Sequence, residues 1–342
     1  MNKSEQLLSA FSEEFFFKDL LIDDSHFTPK NQSEIELADL IINLGDIIVV
    51  IQLKGREGNQ SLKNIEEELK WLESKAKKAK KQAKSSVTWI RSGKLPSFKN
   101  KSGLAINLNP SAKIIPLVVF ENKALKEYPH LLRKHSSSGE NINCISFVDY
   151  QEMCKKLISP FEIVDYLEYR LNTIQKFDNP DIIIHDQKNG FAMAQIKKGE
   201  SMTALYLSET YGIKIFLKKT FHLGAFQLLL HNLPEKTTYS TNEDVIYQVI
   251  KFMSHFDRVI IDEVIKTISR IKRCMFNKRK IRIITRPDDD YAILFVSKIR
   301  LTPSEINTYK KRFKDKKILE IIATRKSIHK YNIDFNIIMN YP

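Results

Sequence analysis

The chain opens on a helical period. Over residues 4–21, Leu7, Leu8, Phe11, Phe15 and the Phe16/Phe17 pair recur at the spacing that gathers apolar side chains on one helix face. A polar stretch follows at Asp23, Asp24 and Ser25, and again from Pro29 to Ser33. The pattern then changes. ELADLIINLGDIIVVIQLKGREG, residues 36–58, holds two β-rich runs, Asp39 to Asn43 and Ile47 to Lys54. Gly45 in the short connection between them predicts a tight turn, and so a β-hairpin. The second run, IIVVI, has no polar break, as suits a strand covered on both faces.

Residues 60–91 return to the helical period. Ser61 or Asn64 is placed to cap the N-terminus, Glu66, Glu67 and Glu68 occupy the first turns, and lysines follow. After a Gly/Pro/Ser-rich loop at 92–103, KIIPLVVFEN (113–122) and CISFVDY (144–150) read as short strands, and 151–176 as a helix. The order predicts an α/β domain with a central mixed sheet flanked by helices. The second half begins near Asn179-Pro180, and Asn189-Gly190 sits between two β-like runs as a hairpin signal. Residues 242–277 read as helix, 280–299 as strands, and 303–316 as a basic helix after Thr302-Pro303. The expected division is a domain over 1–175 and a basic α+β domain over 176–342.

Composition narrows the partners. The 342 residues carry 55 Lys+Arg against 41 Asp+Glu, a formal charge of +14, which favours polyanions. The three cysteines, Cys144, Cys154 and Cys274, have no metal or redox spacing, so no disulfide scaffold is expected and a reducing compartment is. Acids interrupt the N-terminal apolar stretch, unlike a signal peptide, and no uncharged run reaches membrane-spanning length. A soluble cytoplasmic protein facing a polyanion is the expectation.

The candidate chemistry lies on the first hairpin. Asp39 opens its first strand; Gln52 and Lys54 close the second, two residues apart and on one face. A carboxylate, an amide carbonyl and an ammonium then converge, as phosphodiester hydrolysis requires. Hard Mg²⁺ takes oxygen ligands, including one or two carboxylates and phosphate oxygens. It activates water and neutralises developing charge, while a lysine orients the water or stabilises that charge.

This pattern resembles the PD-(D/E)XK nuclease superfamily, the restriction-endonuclease-like fold, and its Gln-x-Lys form is similar to that of Mrr-type restriction nucleases. The resemblance covers residues 5–170. It implies Asp39 as principal metal ligand, Gln52 with a neighbouring backbone carbonyl completing the shell of Mg²⁺ or Mn²⁺, and Lys54 as catalytic. It further implies a glutamate from the first helix, with Glu14 or Glu13 as candidates, and Glu36 lies three residues before Asp39. Ala38 stands where the superfamily often has Pro. By the same resemblance the expected activity is a DNA endonuclease of bacterial defence against foreign DNA, RNA being the less favoured substrate. The alternative is an inactive nuclease-fold subunit that binds nucleic acid or a partner protein of a defence complex. Self-association stays open, and no membrane partner is expected.

Other features are weighed beside it. Asp181, Gln195 and Lys197 repeat the acid and Gln-x-Lys spacing on the second hairpin, as a degenerate second unit or as a solvated turn. Six of the ten residues 75–84 are lysine: Lys75, Lys77, Lys78, Lys80, Lys81 and Lys84. No acid interleaves them, so this helix reads as a phosphate-contacting surface. The clusters Lys272, Arg273, Lys278, Arg279, Lys280, Arg282 and Lys310, Lys311, Arg312, Lys314, Lys316, Lys317 read alike. The eight histidines lack metal-ligand spacing, Trp71 and Trp89 read as core, and Asp288-Asp289-Asp290 as a turn.

Overall fold

The computed structural model describes residues 3–30, 33–56, 65–122, 133–134, 141–157, 159–175, 184–186, 191–193, 203, 206–207, 210, 247, 250–273, 281–284, 291–297, 302–313, 317–325 and 331–338. The chain divides into two compact units, Met1–Thr220 and Phe221–Pro342. Beyond the expected 175/176 boundary, Tyr206 still packs on the first unit. Its hydroxyl donates to Asp165 Oδ2 (2.8 Å), and its ring lies 5.6 Å from that of Tyr166.

In the first unit, helix α1 (Lys3–Phe16) ends before Phe17, a buried non-glycine residue at φ 62°. Such a conformation is uncommon outside glycine; burial of the Phe17 ring holds it here. The short strands are β1 (Leu21–Ile22), β2 (His26–Phe27) and β3 (Ile35–Glu36). The hairpin follows as β4 (Leu40–Asn43) and β5 (Ile47–Gly55), matching the expected runs within a residue. Gly45 at φ 96° makes the turn, its N–H donating to Asn43 Oδ1 (3.0 Å). Helix α2 (Ile65–Ser92) leads to β6 (Phe98–Lys99), β7 (Ala105–Ile106), β8 (Lys113–Glu121), β9 (Arg133–Lys134) and β10 (Asn141–Ser146).

The central sheet runs β1-β4-β5-β8-β10, with β9 added at the β10 edge. β4 pairs antiparallel with β5, while β5–β8 and β8–β10 are parallel. The sheet is therefore mixed, and β5 lies inside it, as the unbroken IIVVI run requires. Pro116 sits in β8 before the pairing with β10 begins at Leu117, where its missing N–H is tolerated. Alternate residues of β5 face opposite sides. Gln52 reaches Ser86 of α2, whereas a side chain at Gly55 would meet Ser4 Oγ of α1 at 3.0 Å. The two helices thus cover opposite faces. Small residues let α2 approach: Ala79 is buried with Val118 of β8 and Cys144 of β10.

Two expectations change here. CISFVDY is not one strand: β10 stops at Ser146, whose hydroxyl accepts from Asp149 N (3.1 Å) and caps α3 (Phe147–Lys156). The helix expected over 151–176 is two helices, because Ser159 and Pro160 start α4 (Pro160–Gln175) anew. Arg170 of α4 is fully buried, donating to Asn143 Oδ1 (2.7 Å) and the Cys144 carbonyl (3.2 Å). Later in the chain, β11 (Ile184–Asp186) and β12 (Phe191–Met193) pair as the expected hairpin.

In the second unit α5 (Arg258–Arg273) buries Ile260, Ile261, Val264 and Ile265 and packs on two strands of a four-stranded sheet. The order is β13 (Ile281–Ile284), β14 (Tyr291–Ser297), β15 (Lys317–Arg325), β16 (Tyr331–Ile338). Helix α6 (Pro303–Arg312) connects the parallel pair β14–β15 and starts on a Thr302/Glu305 capping box. Among the described residues no helix is long and apolar enough to cross a membrane.

Candidate active site

The hairpin brings its three expected residues to one end. Asp39 precedes β4 directly and, by the register Leu40↔Ile51, stands beside Gln52. Its Oδ2 accepts from the Leu53 N–H (2.6 Å) and lies 3.5 Å from Lys54 Nζ. The ammonium also donates to the Leu53 carbonyl (2.7 Å). Asp39 is 8 % exposed and Lys54 15 % by side chain, so this ion pair is shielded from water. Burial pushes the Asp39 carboxyl above its usual range, opposed by the Lys54 charge and the Leu53 N–H.

Gln52 belongs to the same cluster but faces it with a different atom. Its amide nitrogen donates to the Leu37 carbonyl (3.2 Å) and to Ser86 Oγ (3.4 Å). Ser86 donates to the same Leu37 carbonyl. The glutamine thus ties the residues before β4 to helix α2, and an amide so held offers a cation Oε1 alone.

Glu36 lies on β3 with its side chain 44 % exposed, and the desolvation of its covered part together with the Asp39 charge pushes its carboxyl up. His26, opposite it in register, has Nε2 3.9 Å from Glu36 Oε1 and Nδ1 2.9 Å from Asp24 Oδ1. On α1 the placement departs from expectation. Glu5 is the helix carboxylate whose charge reaches both Asp39 and Glu36. Glu13 instead pairs with Lys101 (2.9 Å), and Glu14 is exposed, nine residues past Glu5 and so about 13 Å further along the helix. No sequence signal separates Glu5 from the other two: what sets it apart is that it shares a helix edge with Ser9 and Ser12, both buried in the fold.

Sequence reading also missed the brace beside Lys54. Arg56 donates through Nε (3.1 Å) and Nη2 (2.8 Å) to Glu68 Oε1 and lies over Trp71, 5.5 Å from the ring centre. Asn122 Nδ2 donates to Glu68 Oε2 (2.6 Å). The C-terminal ends of β5 and β8 are thereby joined to the start of α2.

Among the described residues no group of three or more His, Cys, Asp and Glu side chains is placed to hold a metal ion. The donors at the hairpin end are nonetheless all oxygens, as Mg²⁺ or Mn²⁺ prefers. The pair Asp39 Oδ2 and Leu53 O already binds one cation, the Lys54 ammonium. The residues therefore fit a cation with one buried carboxylate.

Helix α2 separates its lysines. Lys77, Lys78 and Lys81 are exposed, and Lys75 and Lys84 half-buried. Lys80 is 6 % exposed, in line with the buried Ala76, Ala79 and Ala83, and so is removed from the expected phosphate-contacting set. Lys77, Lys81 and Lys84, spaced four and three residues, form one outward stripe with Lys70. Asp181, Gln195 and Lys197 lie outside the described residues, as do Lys278, Arg279, Lys280, Lys314 and Lys316. No family model matches the sequence, and comparison with curated proteins and with solved structures yields no match.

Proposed function

We propose that the first unit is a divalent-cation-dependent phosphodiesterase of the PD-(D/E)XK type, cutting DNA in bacterial defence. One observation carries the reading: Asp39 Oδ2 and Lys54 Nζ meet, 3.5 Å apart, at the open end of a hairpin buried inside a mixed sheet. An acid opening one strand and a lysine closing its partner is an arrangement the polymer phosphate can use from both sides. Asp39 and the Leu53 carbonyl would hold the cation, with Gln52 Oε1, Glu5 and Glu36 around them. When bound, the cation supplies charge neutralisation and an activated water.

The chain's own residues do the rest. Lys54 carries a fixed positive charge at the reacting phosphate and orients the attacking water. Burial of Asp39 keeps solvent from screening that pair. The Lys70, Lys77, Lys81 and Lys84 stripe holds the phosphate backbone independently of sequence. Incubation of plasmid DNA with the protein and Mg²⁺ or Mn²⁺ tests this. Cleavage is expected, and it stops on chelation and in Asp39→Asn and Lys54→Ala. RNA of matched length is cut more slowly. Cleavage at full rate in both variants removes the reading.

A second reading is favoured by one feature: the Gln52 amide nitrogen is spent on Leu37 and Ser86, and among the described residues Asp39 is the one buried carboxylate at the hairpin end. An inactive nuclease-fold subunit that binds DNA or a defence partner would then show salt-dependent binding with no cleavage in either metal.

A further inference from the structure

We propose that the Lys54 ammonium is the resting occupant of the cation seat, and that a divalent cation and Lys54 hold that seat in turn. The inference rests on reading the Asp39/Leu53 oxygens as a divalent-cation site.

The seat is defined by two oxygens, Asp39 Oδ2 directly before β4 and the Leu53 carbonyl of β5. Lys54 Nζ lies 2.7 Å from the carbonyl and 3.5 Å from the carboxylate. A buried ammonium is stable only where its protons find acceptors, and Lys54 finds them in the very atoms a hard cation would use. Backbone geometry keeps both oxygens in place whichever cation is present, because Leu53 N–H donates to the same Oδ2 at 2.6 Å.

Charge decides what displaces it. Asp39 is the carboxylate Lys54 touches, Glu5 adds to the negative field at Asp39, and the Glu36 carboxyl feels the Asp39 and Lys54 charges. The surplus negative charge favours a doubly charged ion over a single one. Lys54 ends a flexible four-carbon stem, so its ammonium leaves without backbone movement. Once out, it is the cation available to a phosphate arriving at the seat. The cation thereby arms the lysine, and without it the lysine is folded onto its own strand.

Mn²⁺ binding to the full-length chain, followed by loss of the free-ion electron paramagnetic resonance signal, tests the exchange without nucleic acid. If Lys54 holds the seat nine-tenths of the time, the ion's apparent affinity is reduced about tenfold. Lys54→Met is therefore expected to bind Mn²⁺ about tenfold more tightly than the wild type, and Asp39→Asn not to bind. A wild-type measurement independent of any variant is lysine reductive methylation mapped by mass spectrometry. Labelling of Lys54 should rise on adding Mg²⁺, while exposed Lys77 stays constant. Equal or weaker Mn²⁺ binding in a folded Lys54→Met, or Lys54 labelling that Mg²⁺ leaves unchanged or lowers, overturns the proposal. So does absence of Mn²⁺ binding in every form. A chain that shows the exchange but cuts nothing keeps this proposal and loses the nuclease reading; cleavage without the exchange does the reverse.

Discussion

Gln52 donates its amide nitrogen to the Leu37 carbonyl, 3.2 Å away, across the base of the hairpin that presents Asp39. Position 52 is thus occupied by a group that must donate. A carboxylate there would face a carbonyl oxygen and lose two donated hydrogen bonds in a buried place. Gln52→Glu is therefore expected to destabilise the first unit by about 1–3 kcal/mol. Urea denaturation measures it. An unchanged midpoint would show that the amide donor is dispensable.

Glu5, not Glu13 or Glu14, is the α1 carboxylate whose charge is felt at Asp39. Under the proposed activity, Glu5→Gln lowers the cleavage rate by about tenfold or more, about 1.4 kcal/mol of transition-state stabilisation. Glu14→Gln leaves it unchanged, since Glu14 is exposed and remote. Glu13→Gln acts on stability instead, because it weakens the hold on Lys101, whose ammonium also donates to Ser9 Oγ (2.9 Å). Single-turnover cleavage of the three variants, beside their melting curves, separates the cases. Equal rates in Glu5→Gln and wild type would remove Glu5 from the site.

The hairpin, and the meeting of Asp39 and Lys54 at its end, were legible because local rules governed them: Gly45 at the turn, an unbroken apolar run for an interior strand, and a two-residue period placing Gln52 and Lys54 together. What escaped depended, with one exception, on contacts distant in sequence. That Ser146 ends a strand and starts a helix is local chemistry the apolar run CISF obscured. The choice of Glu5 over Glu14 depends on how α1 crosses β5, which Gly55 decides by admitting Ser4. Lys80 and Arg170 break the rule that charge lies outside, and no periodicity announces a buried cation among alanines or a guanidinium held by Asn143 and a carbonyl.

The lysine helix makes a graded forecast. If Lys77, Lys81 and Lys84 contact phosphates, changing each to Gln lowers the slope of log affinity against log salt by about 0.9 for duplex DNA. The triple variant should lose nearly three units of slope in a fluorescence anisotropy titration. Lys80→Gln should leave the slope unchanged. Because Lys80 is buried, its change shows instead as lost stability, of about 1–3 kcal/mol. A slope that responds to Lys80 as strongly as to Lys81 would contradict the placement of α2.

His26 supplies a pH dependence whose sign follows from its partners. Its hydrogen bond to Asp24, 2.9 Å long, and the charges of Glu36 and Asp24 raise its pKa above the ordinary 6.5. The folded chain therefore binds this proton more tightly than the unfolded one. The resulting stabilisation is fully present below 6.5 and is lost as pH rises through the folded-state value. Because His26 and Asp24 are largely solvent-exposed, it stays below about 1 kcal/mol. Histidine chemical shifts followed by nuclear magnetic resonance should give a His26 midpoint above 6.5, and Asp24→Asn should bring it back towards that value. The melting-temperature gap between wild type and His26→Asn should narrow from pH 6 to pH 8. A His26 midpoint indifferent to Asp24→Asn would mean that the hydrogen bond does not hold the proton, leaving Glu36 as the group that does.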